Sequence, residues 1–217
     1  MATSQRGEGS VLLRSRARAA LLRAGRELLV EYGDNATVRQ ITRQAGVGVA
    51  QFLQHFPGGR EGLFQEAVLE LLDAYAAWLR TATADLTDPA EIFARAFRLT
   101  GRVAAHDRDL LRPLLTRGPE VLFIERGLRE IAFTDLEVGM AQGRFADLDP
   151  DVVLLSVGGM LLGLLHLLKD HPNRVTDETI DDLAAAALRL VGVDAAEAHD
   201  IVRRELPPAP RVHQLLI

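Results

Sequence analysis

The sequence predicts an all-α protein in two parts. The first is an N-terminal three-helix bundle built around a helix-turn-helix. The second is a larger C-terminal helical body whose dimer interface takes two helices from each subunit. Three observations lead there. Apolar residues recur at spacings of three and four through most of the chain, with Pro and Gly between the runs. No stretch alternates apolar and polar residues in the manner of a strand. Charge is also unevenly divided: residues 1–60 carry nine Arg against four acids, a net of +5, while residues 61–217 carry a net of −10. An acidic whole therefore contains a basic N-terminal module, as expected of a module facing a polyanion. With 217 residues, the chain is long enough to bury a substantial core.

"MATSQRGEGS" has no apolar core behind its charge, so residues 1–10 read as a disordered tail and not as a signal peptide. The first helix is expected over 11–32, with Leu21, Ala24, Leu28 and Leu29 on one face and Gly33 as its stop. Thr37 is placed to cap a second helix over 38–45. Gly46 breaks the chain, and a third helix spans 49–55 and ends before Pro57. A long fourth helix covers 60–83. Further helices are expected over 89–105, 108–116, 119–142, 150–169, 177–191 and 195–205, divided by Pro and Gly. "PPAPRVHQLLI" closes the chain as a tail over 207–217.

The second and third helices, joined by "AGVG", make a helix-turn-helix. Gly46 takes the left-handed conformation the turn needs, Ala45 lets the helices cross closely, and Val47 fills their shared core. Phe52 and Phe56, four apart, face inward. Val49, Ala50, Gln51 and Gln54 remain on the outer side.

The stretch "LLRAGRELLVEYGDNATVRQITRQAGVGVAQFLQHFPGGREGLF" resembles the DNA-binding region of the tetracycline-repressor-like (TetR) family of transcription regulators. The shared marks are the amphipathic first helix ending in Gly, Thr-Val before the second helix, the Ala-Gly-Val turn, the His-Phe close of the third, and a basic residue before Leu63. The likeness covers about residues 14–64, and beyond that it rests on helical content and length. It implies a homodimer on a palindromic operator, and a C-terminal body that binds a small effector and releases DNA. The domains then read as tail 1–10, DNA-binding 11–60, ligand-binding and dimerisation 61–206, and tail 207–217. Two departures concern the grip on DNA. The family has Ser where Gly48 stands and Tyr where Leu53 stands, both contacts to phosphate. Each missing neutral hydrogen bond removes about 0.5–1.5 kcal/mol, so arginines have to compensate.

The expected contacts to duplex DNA follow from chemistry. Thr37, Arg39, Arg43, His55 and Arg60 are candidates for phosphate, and Gly48 stands at the cap of the reading helix. Gln51 is the leading base reader, since its amide matches the major-groove edge of adenine, with Gln54 behind it. Val49 and Ala50 suit thymine methyls. Arg14 and Arg18 face either the DNA backbone or solvent.

From Val152 to Leu168 only Ser156 and His166 are polar. The segment reads either as a short membrane span or, preferably, as a helix buried on two sides, one of them against a second subunit. Ser156, Gly159 and Gly163 form a stripe that admits another backbone. With Leu167 and, on the next helix, Leu183, Ala187 and Leu190, they are the expected dimer interface. Trp78, Phe93, Phe97, Phe123, Phe133 and Met140 are the expected lining for an apolar or amphipathic effector, with Arg98, Arg102 and His106 as weaker candidates for its polar anchor.

Catalysis finds no support: there is no Cys, no HExxH pair, no Gly-rich phosphate loop and no GxSxG elbow, and the six His lack ligand spacing. No cofactor, no metal and no membrane partner are expected, and a cytoplasmic location fits. The resulting expectation is a ligand-responsive regulator, a repressor by preference. The alternative is a related dimer that has lost specific DNA binding and serves as a ligand-binding or adaptor protein.

Overall fold

A computed structural model describes residues 2–106, 123–124 and 127–209. It has helices α1 (Ala2–Tyr32), α2 (Val38–Ala45), α3 (Val49–His55), α4 (Gly59–Ala82), α5 (Pro89–His106), α6 (Leu128–Ala141), α7 (Pro150–Asp170), α8 (Asp177–Leu190) and α9 (Ala195–Val202). No strand occurs among the described residues, and the fold class is the expected one. The chain divides into two compact units, residues 1–71 and 72–215.

In the first unit α1 packs on α2 and α3. Leu21, Leu28, Leu29, Ile41, Phe52, Phe56 and Leu63 close the core. The two units divide after Leu71, within α4. The start of α4 belongs to this core through Leu63, Phe64, Ala67 and Val68. It is also clamped to α1 by the ion pairs Arg18–Glu66 and Arg26–Glu70, the latter at 2.6 Å. Gly25 is the crossing point, because a Cβ there would run into the side chain of Leu63. The structure corrects the N-terminus as well: residues 2–10, expected as a tail, continue α1. No Pro interrupts the run, and extending a helix already anchored by packing costs far less than starting one.

In the second unit α5 is central and touches α6, α7, α8 and α9. Phe93, Phe97, Leu136, Phe145, Val153, Ala184 and Leu188 form the main cluster, and Leu164, Leu165, Leu168 and Ile180 a second one with Ala104. At Gly101 an added Cβ would meet Ile180 at 2.6 Å, so α5 and α8 approach closely there. Helix starts follow the sequence signals. Asp149 caps α7 ahead of Pro150, Thr176 and Thr179 form a reciprocal capping box on α8, and Asp194 caps α9.

Two helical expectations differ or stay open. The helix expected over 119–142 begins only at Leu128, because Gly127 at φ 65°, ψ −120° holds a backbone shape that glycine alone adopts readily. The helix expected over 108–116 and the end of the tail from 210 lie outside the described residues.

Candidate nucleic-acid interface

The helix-turn-helix lies wholly within the first unit. Thr37 caps α2 through a reciprocal box: the Gln40 backbone N–H donates to Thr37 Oγ1 at 3.3 Å, and Gln40 Oε1 accepts from the Thr37 N–H at 2.8 Å and from its hydroxyl at 2.7 Å. The Thr37 hydroxyl proton is thus engaged with its own helix. Ile41 and Thr42 are buried, and the Thr42 hydroxyl is satisfied by donating to the Arg39 carbonyl at 3.3 Å. Gly46 ends α2 at φ 65°, ψ 29°, the left-handed turn the sequence calls for. The Val47 N–H reaches back to the Thr42 carbonyl at 3.0 Å.

Gly48 is the extended N-cap of α3 and offers no side-chain bond. Phe52 and Phe56 face inward, their ring centroids 5.8 Å apart. The outer face carries Val49, Ala50, Leu53 and Gln54, all exposed, while Gln51 and His55 are half-buried on the flank. At about 100° per residue, Gln54 points most directly away from the Phe52–Phe56 stripe. Gln54 is therefore at least as well presented to a groove as Gln51, the residue favoured from sequence.

The arginines separate into two kinds. Arg39 and Arg43 are exposed, one turn apart on α2, and neither is held in an ion pair among the described residues. Arg60 is half-buried: it donates to the Ala36 carbonyl at 3.3 Å, and its guanidinium lies 5.8 Å from the Phe64 ring centre. Arg18 pairs with Glu66 and lies 5.2 Å from the Phe56 ring centre, so it ties α1 to α4. Arg14, Arg16 and Arg23 are exposed on α1. Sequence reading missed both the Arg18–Glu66 clamp and the bond from Gln44 to Glu27. Partners 48 and 17 residues apart leave no local signal.

In the second unit the expected residues scatter. Phe93, Phe97 and Met140 belong to one apolar cluster, with Phe93 edge-on to Phe145 at 6.0 Å. Trp78 stacks on Tyr75 at 5.6 Å, and Phe133 lies beneath the Arg129 guanidinium at 5.7 Å. Phe123 is 65% exposed and does not line an interior. Arg98 and Arg102 are not free anchors either. Both bind Asp181, and Arg98 also donates to the Arg204 carbonyl at 2.8 Å.

On α7 only one face is buried within the chain, by Val153, Leu164, Leu165 and Leu168. Val152 and Leu155 are 59% and 50% exposed, and a Cβ added at Gly159 or Gly163 would meet nothing within 4 Å. α7 is also the single helix, among the described residues, long and apolar enough to cross a membrane. Ser156 and Leu167 on α7, and Leu183 and Leu190 on α8, are half-buried. Ala187, expected at the interface, is instead fully buried in the core. It shares the inward stripe of Ala184, Leu188 and Val191, which α8 turns toward its own unit.

Comparison with known proteins decides the family. A family model described as the tetracyclin repressor-like C-terminal domain matches residues 88–204, more than half of the chain. The chain belongs to the TetR family. The model for the N-terminal region of these bacterial regulatory proteins matches residues 21–67, which hold the helix-turn-helix. The structure of RolR in complex with its ligand resorcinol is 32% identical, with a TM-score of 0.80, covering 92% of this chain and 100% of RolR. RolR without ligand superposes with a TM-score of 0.76 at the same identity, over 88% and 100% of the two chains. The fatty acid degradation regulator FadR of Bacillus halodurans shares the fold at 17% identity and a TM-score of 0.60, over 81% of this chain and 99% of its own. No curated protein matches the sequence. As a TetR-family chain this is a transcription regulator with a helix-turn-helix DNA-binding unit and a ligand-binding helical unit.

Proposed function

We propose that the protein is a homodimeric repressor that binds a palindromic operator through α3 and releases it when a small amphipathic effector enters the second unit. The observation that carries this reading is the outer face of the helix-turn-helix. Arg39 and Arg43 stand exposed without ion-pair partners among the described residues, beside an α3 surface made of Val49, Ala50, Leu53 and Gln54. Unpaired guanidinium groups suit phosphate, and amides and small apolar groups suit base edges. Thr37, His55, Arg60 and the Gly48 backbone N–H supply the remaining phosphate contacts, with Gln51 and Gln54 reading bases.

The open face of α7 takes the same face of a second copy, related by a two-fold axis that matches the palindrome. Ser156, Gly159, Gly163 and Leu167 lie at this seam, and Leu183 and Leu190 of α8 complete it. A dimer seam, rather than lipid, covers this helix, and the protein works in the cytoplasm without catalysing a reaction. The resorcinol bound by RolR, at 32% identity over nearly the whole chain, supports a small phenol as effector.

The test is selection of duplexes from a genomic library by the full-length protein, followed by footprinting. Two protected half-sites about one or two helical turns apart are expected, and resorcinol or a related phenol should release the complex. The competing reading, a dimer that has lost operator binding, is favoured by one observation: Gly48 and Leu53 offer phosphate no hydroxyl. A library from which no sequence is enriched would establish it.

A further inference from the structure

Resting on that proposed operator binding, we infer that Leu53 is a base-reading residue, and that with Val49 it makes α3 a detector of thymine methyl groups. Leu53 and Val49 are 50% and 51% exposed, one turn apart on the same seven-residue helix. Isolated exposed apolar residues are common on protein surfaces and need no explanation. These two form a continuous strip with exposed Ala50 along one flank of the α3 surface proposed to enter the groove, to one side of Gln54. Exposed Arg39 and Arg43 stand on the neighbouring helix.

Charge selects the occupant. The strip lies within residues 1–60, which carry a net charge of +5, in a chain with a net charge of −5. Its surroundings therefore suit a polyanion, and an apolar protein partner fits them poorly. In the major groove of DNA, one base substituent is apolar, the C5-methyl of thymine. Leucine cannot donate a hydrogen bond to phosphate, so it does not take over a tyrosine's grip on the backbone. It offers two methyl groups in a position where a polar side chain would reach for the sugar-phosphate edge. Methyl packing at this position shifts the balance of the interface from backbone grip toward base discrimination.

The experiment uses the full-length protein and an operator obtained by selection. Each thymine is replaced in turn by deoxyuridine, which removes the methyl and nothing else, and affinity is read by fluorescence anisotropy. One or two positions per half-site should each weaken binding about four-fold, the size expected for one buried methyl. Leu53→Ala should erase the thymine–uracil difference at one such position and keep it at the other, and Leu53→Met should retain both. Circular dichroism of each variant checks that the helices are intact, as expected for an exposed side chain. If every uracil substitution is silent in the unaltered protein, Leu53 and Val49 do not read methyls, although the operator reading survives. If Leu53→Ala weakens thymine and uracil duplexes equally, Leu53 packs on the backbone, and the inference falls. If no duplex is bound specifically, the operator reading and this inference fall together.

Discussion

Arg98 on α5 donates through Nε to Asp181 Oδ1 at 2.7 Å and through Nη2 to Oδ2 at 3.3 Å, tying α5 to α8 across 83 residues of sequence. Arg102 adds a bond to the same Oδ1 at 3.0 Å, and Arg98 Nη1 reaches the Arg204 carbonyl at 2.8 Å. The Arg98 side chain is 7% exposed. The Asp181 carboxylate thus pairs with both guanidinium groups, and Arg102 is also paired with Asp177 at 3.0 Å.

Removing the carboxylate leaves the buried Arg98 charge uncompensated. Asp181→Ala should lower stability by about 3 kcal/mol, measured as a shift in urea unfolding at fixed protein concentration. Asp181→Asn should cost less, since its amide oxygen still accepts one of the bonds. A change below about 0.5 kcal/mol would mean that water replaces the carboxylate at no cost.

A pH effect is expected from Asp88. Its carboxylate receives Arg144 Nε at 2.7 Å and Nη2 at 3.0 Å, and this hydrogen bonding holds its pKa below the ordinary value. A pKa depressed in the folded state contributes stability that is fully present above the unfolded value of about 3.9 and is lost as pH falls through the folded value. Asn at position 88 keeps an oxygen for the Ala90 N–H, which Asp88 now caps at 3.0 Å. Asp88→Asn should therefore be less stable than the unaltered protein at pH 7, with the gap narrowing below about pH 4. A gap that stays constant down to about pH 3 would show that the Arg144 pairing is not its source.

The proposed dimer seam has a probe at Gly159. A Cβ added there meets nothing within 4 Å among the described residues, so Gly159→Leu should spare the folded chain and obstruct a partner. Sedimentation equilibrium should show the unaltered protein at twice the chain mass and the variant shifted toward a single chain, with equal helical signal by circular dichroism. A variant that remains dimeric would move the seam away from this stripe.

What the sequence made legible was local. Thr37 and Gly46 are cap and turn chemistry, written in adjacent residues and realised where expected. The inward Phe52–Phe56 pair followed from helical spacing. Long-range pairings were not legible. Arg18 read as a possible DNA contact because Glu66 is 48 residues away, and Arg98 as a possible ligand anchor because Asp181 is 83 away. Ala187 sits on an Ala-rich face whose inward side depends on which neighbours α8 meets, and periodicity alone does not name them. Gly127 was missed because one glycine inside an apolar run reads as tolerated, and only its positive φ reveals a break.

The outer face of α3 is proposed to read bases while arginines hold phosphate. The most direct test compares affinity for the selected operator with that for a scrambled duplex of equal length and composition, at one fixed salt concentration. The unaltered protein and the Gln51→Ala/Gln54→Ala variant are measured side by side. The unaltered protein should prefer the operator at least about 10³-fold. In the variant that preference should fall by about 1–3 kcal/mol for each amide taken away from a base edge, with scrambled-duplex affinity unchanged. A preference near one in the unaltered protein, or an equal weakening on both duplexes in the variant, would contradict the proposal.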